Sequence, residues 1–312
     1  MNVQKKRINA HLYVTSKCNL HCKHCYSANN VSSQQELSLA EMIMIVRTLC
    51  TAYDAYIDVE GGEIFLRNDI LTFLKALTKY ELSRITITTN GTIYPPIPPS
   101  LFSQLCEFRV SIEGHTDLMH HELRGIPLSL VIDNCINWLN QGVPVVARTT
   151  LSKANYKYID ELLEALISIG FKNFSFYEFQ AVGRGNLFEQ SFKLSLDELY
   201  VAIESLYKAV NKFPEIHMIK LHLAKPRKDE LNLSAFINKN SPLLLEDLSY
   251  IPTVTVNHDG SVGICPWDIK SDNHLNIRKY PLVTLLEKSI NPQDRRHECQ
   301  YCSEMRLLYK NS

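Results

Sequence analysis

With 312 residues, 33 Lys+Arg against 33 Asp+Glu, 45% hydrophobic and 21% charged residues, the chain has the composition of a packed globular protein, and disordered and fibrous classes are excluded. A formal charge of zero supplies no general field for gathering nucleic acid or an anionic membrane, so neither is expected as a partner. No apolar run approaches the roughly 20 residues of a membrane span. The basic start MNVQKKRINAHLYV has no long apolar stretch, so the chain reads as cytoplasmic.

Strand-like and helix-like segments alternate over the first 180 residues. Ile8 to Val14 is apolar and β-rich. Ser38 to Ala52 opens with a capping box, Ser38 with Glu41 three residues on, and its apolar residues then recur at helical spacing. Strands are expected at Tyr56–Val59, Ile85–Thr89, Phe108–Ile112, Val143–Leu151 and Phe174–Phe179. Helices are expected at Ile70–Lys79, Ser129–Asn140 and Tyr158–Ile169. Six β-then-α units imply a parallel sheet with helices on its outer face. Six are too few to close an eight-stranded barrel, so a partial, open (β/α)6 barrel is the expected α/β fold. The pattern changes after Gly185. A helix over Leu194–Lys212 and the polar stretch KPRKD from Lys225 lead to Thr253–Val256 and Ser261–Ile264, which flank His258-Asp259-Gly260. Asp-Gly between alternating residues is a hairpin signal. The reading is a core over 1–190, a connecting helix and linker over 191–244, and a small α+β C-terminal module over 245–312.

Nine cysteines is a high, odd count, and six of them fall in or near two short clusters, a pattern that favours metal over disulfides. Cys18, Cys22 and Cys25 form C-x3-C-x2-C in the loop after the first strand. Three thiolates with an open fourth position suit a [4Fe–4S] cluster, whereas His21 or His24 as a fourth ligand would make a zinc site. Cys265, Cys299 and Cys302 form the second set, and their spacing fits zinc or iron–sulfur about equally. Cys50, Cys106 and Cys135 read as core packing.

The loop CNLHCKHCY resembles the three-cysteine signature of the radical S-adenosylmethionine (radical SAM) superfamily. The resemblance continues through Gly61-Gly62-Glu63 after the second strand, Thr89-Asn90-Gly91 after the third, Ser111-Ile112-Glu113-Gly114 with His120/His121 and Arg124-Gly125 after the fourth, and Val182-Gly183-Arg184-Gly185 after the sixth. Ile64 departs from the proline usual after Gly-Gly-Glu. The resemblance implies that Cys18, Cys22 and Cys25 hold a [4Fe–4S] cluster whose open iron is chelated by S-adenosylmethionine, which is cleaved to a 5′-deoxyadenosyl radical. It places Gly61, Gly62 and Glu63 near the cofactor's amino group, with Asn90 and Val182 in the same site. Ser111 and Arg148, at the ends of adjacent strands, are expected to hold its carboxylate, since an arginine fork matches a carboxylate in two bonds. His24 and Tyr26 are expected to pack on the adenine. Tyr177, as packing, and Glu178, as a base, stand where such a barrel faces its substrate.

The segment VNHDGSVGICPWD…CQYC resembles the C-terminal module of SPASM/Twitch radical SAM enzymes in its shortened form. The resemblance implies one auxiliary [4Fe–4S] cluster on Cys265, Cys299 and Cys302, with His297, His258, Asp268, water or substrate as a further ligand. It also implies modification of a ribosomally made peptide by cross-link, epimerisation or oxidation. A reducing partner such as flavodoxin or ferredoxin is expected. With the first strand beginning by Ile8, the leader peptide is expected to use a separate carrier or the barrel itself. The competing readings are dehydrogenation of a small molecule and a non-enzymatic iron–sulfur or zinc protein.

Overall fold

The computed structural model describes residues 5–28, 35–80, 84–97, 101, 105–224, 243–247, 252–263, 275–290 and 303–309, with 243–247, 288–290 and 303–309 as backbone alone. Seven strands, β1 (Arg7–Tyr13), β2 (Asp54–Glu60), β3 (Arg84–Thr89), β4 (Leu105–Ser111), β5 (Val145–Leu151), β6 (Asn173–Glu178) and β7 (Met218–Leu223), pair in chain order and in parallel. Helices α1 (Leu39–Ala52), α2 (Ile70–Leu77), α3 (Asp117–Arg124), α4 (Ser129–Asn140), α5 (Ile159–Ser168) and α6 (Leu196–Lys212) fill the crossovers.

The local causes are those read from the sequence. Ser38 Oγ accepts from Glu41 N while Glu41 bonds back to Ser38 N, so α1 begins with a complete capping box. Its buried Met42, Ile45, Val46 and Leu49 form one stripe against the sheet. Ile8, Ala10 and Leu12 of β1, Ile57 and Val59 of β2, Phe108 and Val110 of β4, and Phe174 and Phe176 of β6 join the apolar core shared with the helices. The alternate residues on the same strands are polar, and these line the concave face.

Some elements differ from the expectation. The sheet has a seventh parallel strand, β7, because Lys220 and His222 are turned to the concave face, which breaks the apolar look of MIKLHL. Helix α3 was not anticipated, since DLMHHELR buries only His120 and Leu123. Cys135 is buried and Cys50 packs against the core, but Cys106 is exposed, pointing outward on β4.

The Asp-Gly hairpin forms as expected. β9 (Thr253–Val256) and β10 (Val262–Gly263) pair antiparallel, with Gly260 at φ 84° in the turn. These strands do not stand apart from the core: β9 lies parallel to β1, and β11 (Ser303–Tyr309) runs antiparallel between β7 and β8 (Leu243–Asp247). Among the described residues, the strands after residue 242 therefore extend both flanks of one 11-stranded sheet. Helix α7 (Leu282–Ile290) packs beside α1 and β9. Arg278 ties this region to the start of α1 by a two-bond contact to Glu41, Nε at 2.6 Å and Nη2 at 3.1 Å.

Candidate active site

The cysteine loop follows β1 at the C-terminal ends of the parallel strands. It is stitched to the turn after β2: Gly62 N donates to Thr15 O and Glu63 N to Lys17 O, both at 2.8 Å. A Cβ on Gly62 would lie 2.2 Å from Lys17 O, so only glycine permits this approach. The far side is braced by the segment after β6. Arg184 N donates to Cys25 O and its Nη1 to Cys22 O, each at 2.9 Å, and Gly183 at φ 60° packs against Tyr26 O. The loop is thus clamped from two sides of the sheet.

Each cysteine sulfur has a polar neighbour. Leu20 N donates to Cys18 Sγ at 3.4 Å, Arg124 Nη1 to Cys22 Sγ at 3.7 Å, and Cys25 Sγ lies 3.4 Å from Ser27 Oγ. Burial pushes the Cys22 thiol up to about 11 and raises Cys18 as well. A coordinating metal reverses this, because it deprotonates a thiol outright. Three thiols on one clamped loop, facing one cavity and flanked by donors, fit a [4Fe–4S] cluster with one iron left open. His24 Nε2 lies 3.3 Å from the buried carboxylate of Glu113.

The cavity beside the loop has a volume of about 270 Å³. It is lined by Cys18, Cys22, Cys25, His24, Tyr26, Gly61, Gly62, Asn90, Ser111, Arg148, Tyr177 and Glu178, so most residues picked from the sequence meet in one place. Ser111 and Arg148 are register partners on β4 and β5. Arg148 Nη1 lies 3.4 Å from Thr88 Oγ1 and 3.6 Å from Glu60 Oε2, and its guanidinium sits 4.2 Å above the Tyr177 ring. Tyr177 in turn stacks flat on His222 at 3.9 Å. Glu178 is buried, and its carboxylate accepts from Ala224 N at 3.0 Å. Asn90 Nδ2 donates to Asn19 Oδ1 at 2.8 Å and tilts toward Cys18.

Two expected residues stand elsewhere. Glu63 is fully buried and knots two motifs together: it accepts from Asn90 N at 2.7 Å, Thr89 Oγ1 at 2.9 Å and Phe65 N at 3.2 Å. Burial outweighs these bonds and raises its pKa. Val182 is the residue before the short helix Gly183–Phe188 and does not line the cavity.

Besides Glu178, the carboxylate that lines it is Glu60, which the sequence reading passed over. Glu60 accepts from His11 Nδ1 at 2.8 Å and Tyr26 OH at 3.0 Å. Burial opposes its ionisation, but His11 and Arg148 outweigh burial and hold it well below the usual carboxylate range. Burial pulls His11 down, while Glu60 and Asp58 outweigh it and raise its pKa. Tyr26 OH also bonds Tyr13 OH at 2.8 Å. Beneath lies a buried charged floor: Arg109 bonds Glu107 at 2.8 Å and approaches Asp58 at 3.6 Å, and the fully buried Lys220 bonds Glu107. Asp58 and Glu60 alternate with Ile57 and Val59 in DAYIDVE, so the signal was available as strand periodicity.

A second charged group backs the loop. Glu113 accepts from Arg124 Nη2 at 2.7 Å, Arg124 Nε at 3.0 Å and Thr150 N at 2.7 Å. Burial would raise Glu113, but Arg124 and His24 hold it well below its ordinary value. Burial and the Arg124 charge together bring His120 down to about 4. Cys265, Cys299, Cys302, His297 and Asp268 lie outside the described residues. His258 is buried in the β9–β10 turn.

Residues 12–166 match the family model described as the Radical SAM superfamily. The chain belongs to that superfamily. It is 28% identical over 210 residues to the Fe-coproporphyrin III synthase of Methanosarcina barkeri, covering 65% of this chain and 51% of that protein. It is 24% identical over 292 residues to the sporulation killing factor maturation protein SkfB of Bacillus subtilis, covering 91% of this chain and 63% of that protein. The chain thus spans between half and two thirds of the length of these relatives. Among solved structures, Streptococcus suis SuiB bound to its precursor peptide SuiA shares the fold, with a TM-score of 0.73, 16% identity, and coverage of 96% of this chain and 70% of that one. Among the described residues, no helix is long and apolar enough to cross a membrane.

Proposed function

We propose that the protein is a radical SAM enzyme that modifies a ribosomally synthesised peptide. The observation that carries the radical reading is the convergence of Cys18, Cys22, Cys25, the Gly61-Gly62 turn, Ser111 and Arg148 on one cavity. When bound, the [4Fe–4S] cluster and S-adenosylmethionine supply a 5′-deoxyadenosyl radical for hydrogen abstraction, chemistry that belongs to the cofactor. The chain's own residues bind and orient. Arg148 and Ser111 offer donors for a carboxylate. The carbonyls of the glycine turn offer acceptors for an ammonium, with Glu60 behind them. The charged floor closes the lower barrel, so a substrate approaches from the strand ends, where Tyr177 and Glu178 stand, with Glu178 as the base. On this reading His24 and Tyr26 border the adenine, with Asn90 beside the cluster loop. Cys265, Cys299 and Cys302 would hold an auxiliary [4Fe–4S] cluster, which would supply either an electron acceptor for a net oxidation or a direct ligand for the substrate.

Support for a peptide substrate comes from the extent of likeness. SkfB aligns with 91% of this chain and peptide-bound SuiB superposes on 96% of it, so both likenesses extend well beyond residues 12–166. The likeness to the Fe-coproporphyrin III synthase, over 65% of this chain, is what supports the runner-up, a small-molecule substrate. The test is anaerobic incubation of reconstituted protein with S-adenosylmethionine, dithionite and a short peptide encoded beside its gene. The expected result is 5′-deoxyadenosine together with a peptide changed in mass. Cleavage accelerated by a small metabolite, with every such peptide unchanged, would replace this reading by the runner-up.

A further inference from the structure

Arg124 makes a contact that neither cofactor binding nor substrate access requires. It closes α3, and its side chain is 11% exposed. Two of its nitrogens, Nε and Nη2, are occupied by Glu113 Oε1 at 3.0 and 2.7 Å. The third, Nη1, is directed at Cys22 Sγ at 3.7 Å. Glu113 cannot swing away, because Thr150 N holds its other oxygen at 2.7 Å. The fork is therefore fixed with one edge on a carboxylate and one N–H on a cysteine sulfur.

The other two sulfurs have neutral neighbours. Cys18 receives Leu20 N at 3.4 Å and Asn90 Nδ2 at 3.9 Å, and Cys25 lies 3.4 Å from Ser27 Oγ. Cys22 is buried at 8% exposure, where a nearby charge is least screened by water. Reducing an iron–sulfur cluster by one electron adds negative charge that spreads onto its thiolates. A cation and an N–H···S bond at a thiolate stabilise the reduced form more than the oxidised one, and hydrogen bonds to sulfur are a known lever on cluster potential.

We propose that Arg124 sets the reduction potential of the cluster held by Cys22, raising it through a charge-assisted N–H···S bond, and that Glu113 is the positioning residue that aims it. The proposal rests on the reading of the cysteine loop as a [4Fe–4S] site. It gives the Arg124-Gly125 pair a role distinct from cofactor binding: Arg148 addresses the cofactor, while Arg124 addresses the cluster. A higher potential makes the cluster easier to load from a protein electron donor.

The test is a redox titration, followed by low-temperature electron paramagnetic resonance, of anaerobically reconstituted full-length protein without S-adenosylmethionine. Wild type is compared with Arg124→Gln, Arg124→Lys and Lys23→Gln. Lys23 is a cation next to Cys22 in sequence, but its ammonium pairs with exposed Glu122 at 2.8 Å. At the potential where the wild-type cluster is half reduced, Arg124→Gln should lower the reduced-to-oxidised ratio about tenfold, equal to 59 mV for one electron. Arg124→Lys should move it the same way by less, and Lys23→Gln should stay within about twofold of wild type. If Arg124→Gln keeps its iron and its ratio, or if Lys23→Gln shifts as far, the proposal is overturned. Should Arg124→Gln fail to hold a cluster, Arg124→Lys decides, and an unchanged ratio there overturns the proposal. Wild type that binds no iron and sulfide overturns the cluster reading itself, an outcome separable by the iron count.

Discussion

Replacing Gly62 by alanine tests how the cofactor site is built. The added methyl would meet Lys17 O at 2.2 Å, Lys17 C at 2.6 Å and Ser16 O at 2.9 Å, all backbone atoms with no rotamer to yield. The turn and the cysteine loop must therefore part, and the Gly62 N to Thr15 O and Glu63 N to Lys17 O bonds go with them. Overpacking costs about 1–3 kcal/mol and each lost bond about 0.5–1.5, which gives about 2–6 kcal/mol in all. For a chain of this size that lowers Tm by roughly 4–12 °C, at about 2 °C per kcal/mol. The displaced segment leads directly into Cys18, so iron retention should fall with stability. The assay is iron and sulfide content after anaerobic reconstitution, beside calorimetry of the iron-free protein. Gly125→Ala is the control: its Cβ meets nothing within 4 Å, although its φ of 77° costs about 1–2 kcal/mol. It should lose stability and keep iron. A Gly62→Ala protein with wild-type Tm and full iron would refute the clamp.

Arg148→Ala should weaken S-adenosylmethionine binding by about ten- to a hundred-fold, the worth of one charged hydrogen-bond partner, and calorimetric titration showing unchanged affinity would remove Arg148 from the site. Ser111→Ala should do the same more weakly. Arg278 holds the Glu41 carboxyl down to about 2, so the pair stabilises the fold above the ordinary glutamate range and that contribution is lost as pH falls through about 2. Arg278→Ala should therefore cost about 1 kcal/mol near neutrality and progressively less below about pH 4, and a urea-unfolding difference independent of pH would contradict this. Wild type should hold about eight irons per chain, and Cys299→Ala with Cys302→Ala about four. That variant, once shown soluble, should still cleave S-adenosylmethionine but give no modified substrate. Normal product from it would make the second cluster structural.

Much of this was legible in the sequence because short-range rules dominate there. The capping box, the Asp-Gly hairpin and the strand-then-loop motifs each depend on a few neighbouring residues. The misreadings share one cause. Alternation marks the apolar half of each strand as core and leaves the destination of the polar half open. In this fold that half faces the interior, so Glu60 was overlooked as a cavity carboxylate and β7 as a strand. The Gly-Gly-Glu motif points Glu63 toward the cofactor, while its bonds to Thr89 and Asn90 come from a strand 26 residues away, which no local pattern reveals. The role of Arg124 likewise depends on a contact spanning 102 residues.

The placement of the last strands also has a consequence for how the chain is made. Strand β1 emerges from the ribosome long before its outer neighbour β9, which begins only at Thr253. At about 5–20 residues per second, roughly 10–50 s of synthesis separate the two. During that interval β1 presents an open row of N–H and C=O groups on a flank that the finished molecule covers, and β7 waits in the same way for β11. Bare strand edges invite pairing with other chains. The nascent protein is therefore most prone to aggregation while its N-terminal two thirds are already complete, and chaperone capture or slowed growth temperature should improve yield chiefly over that window.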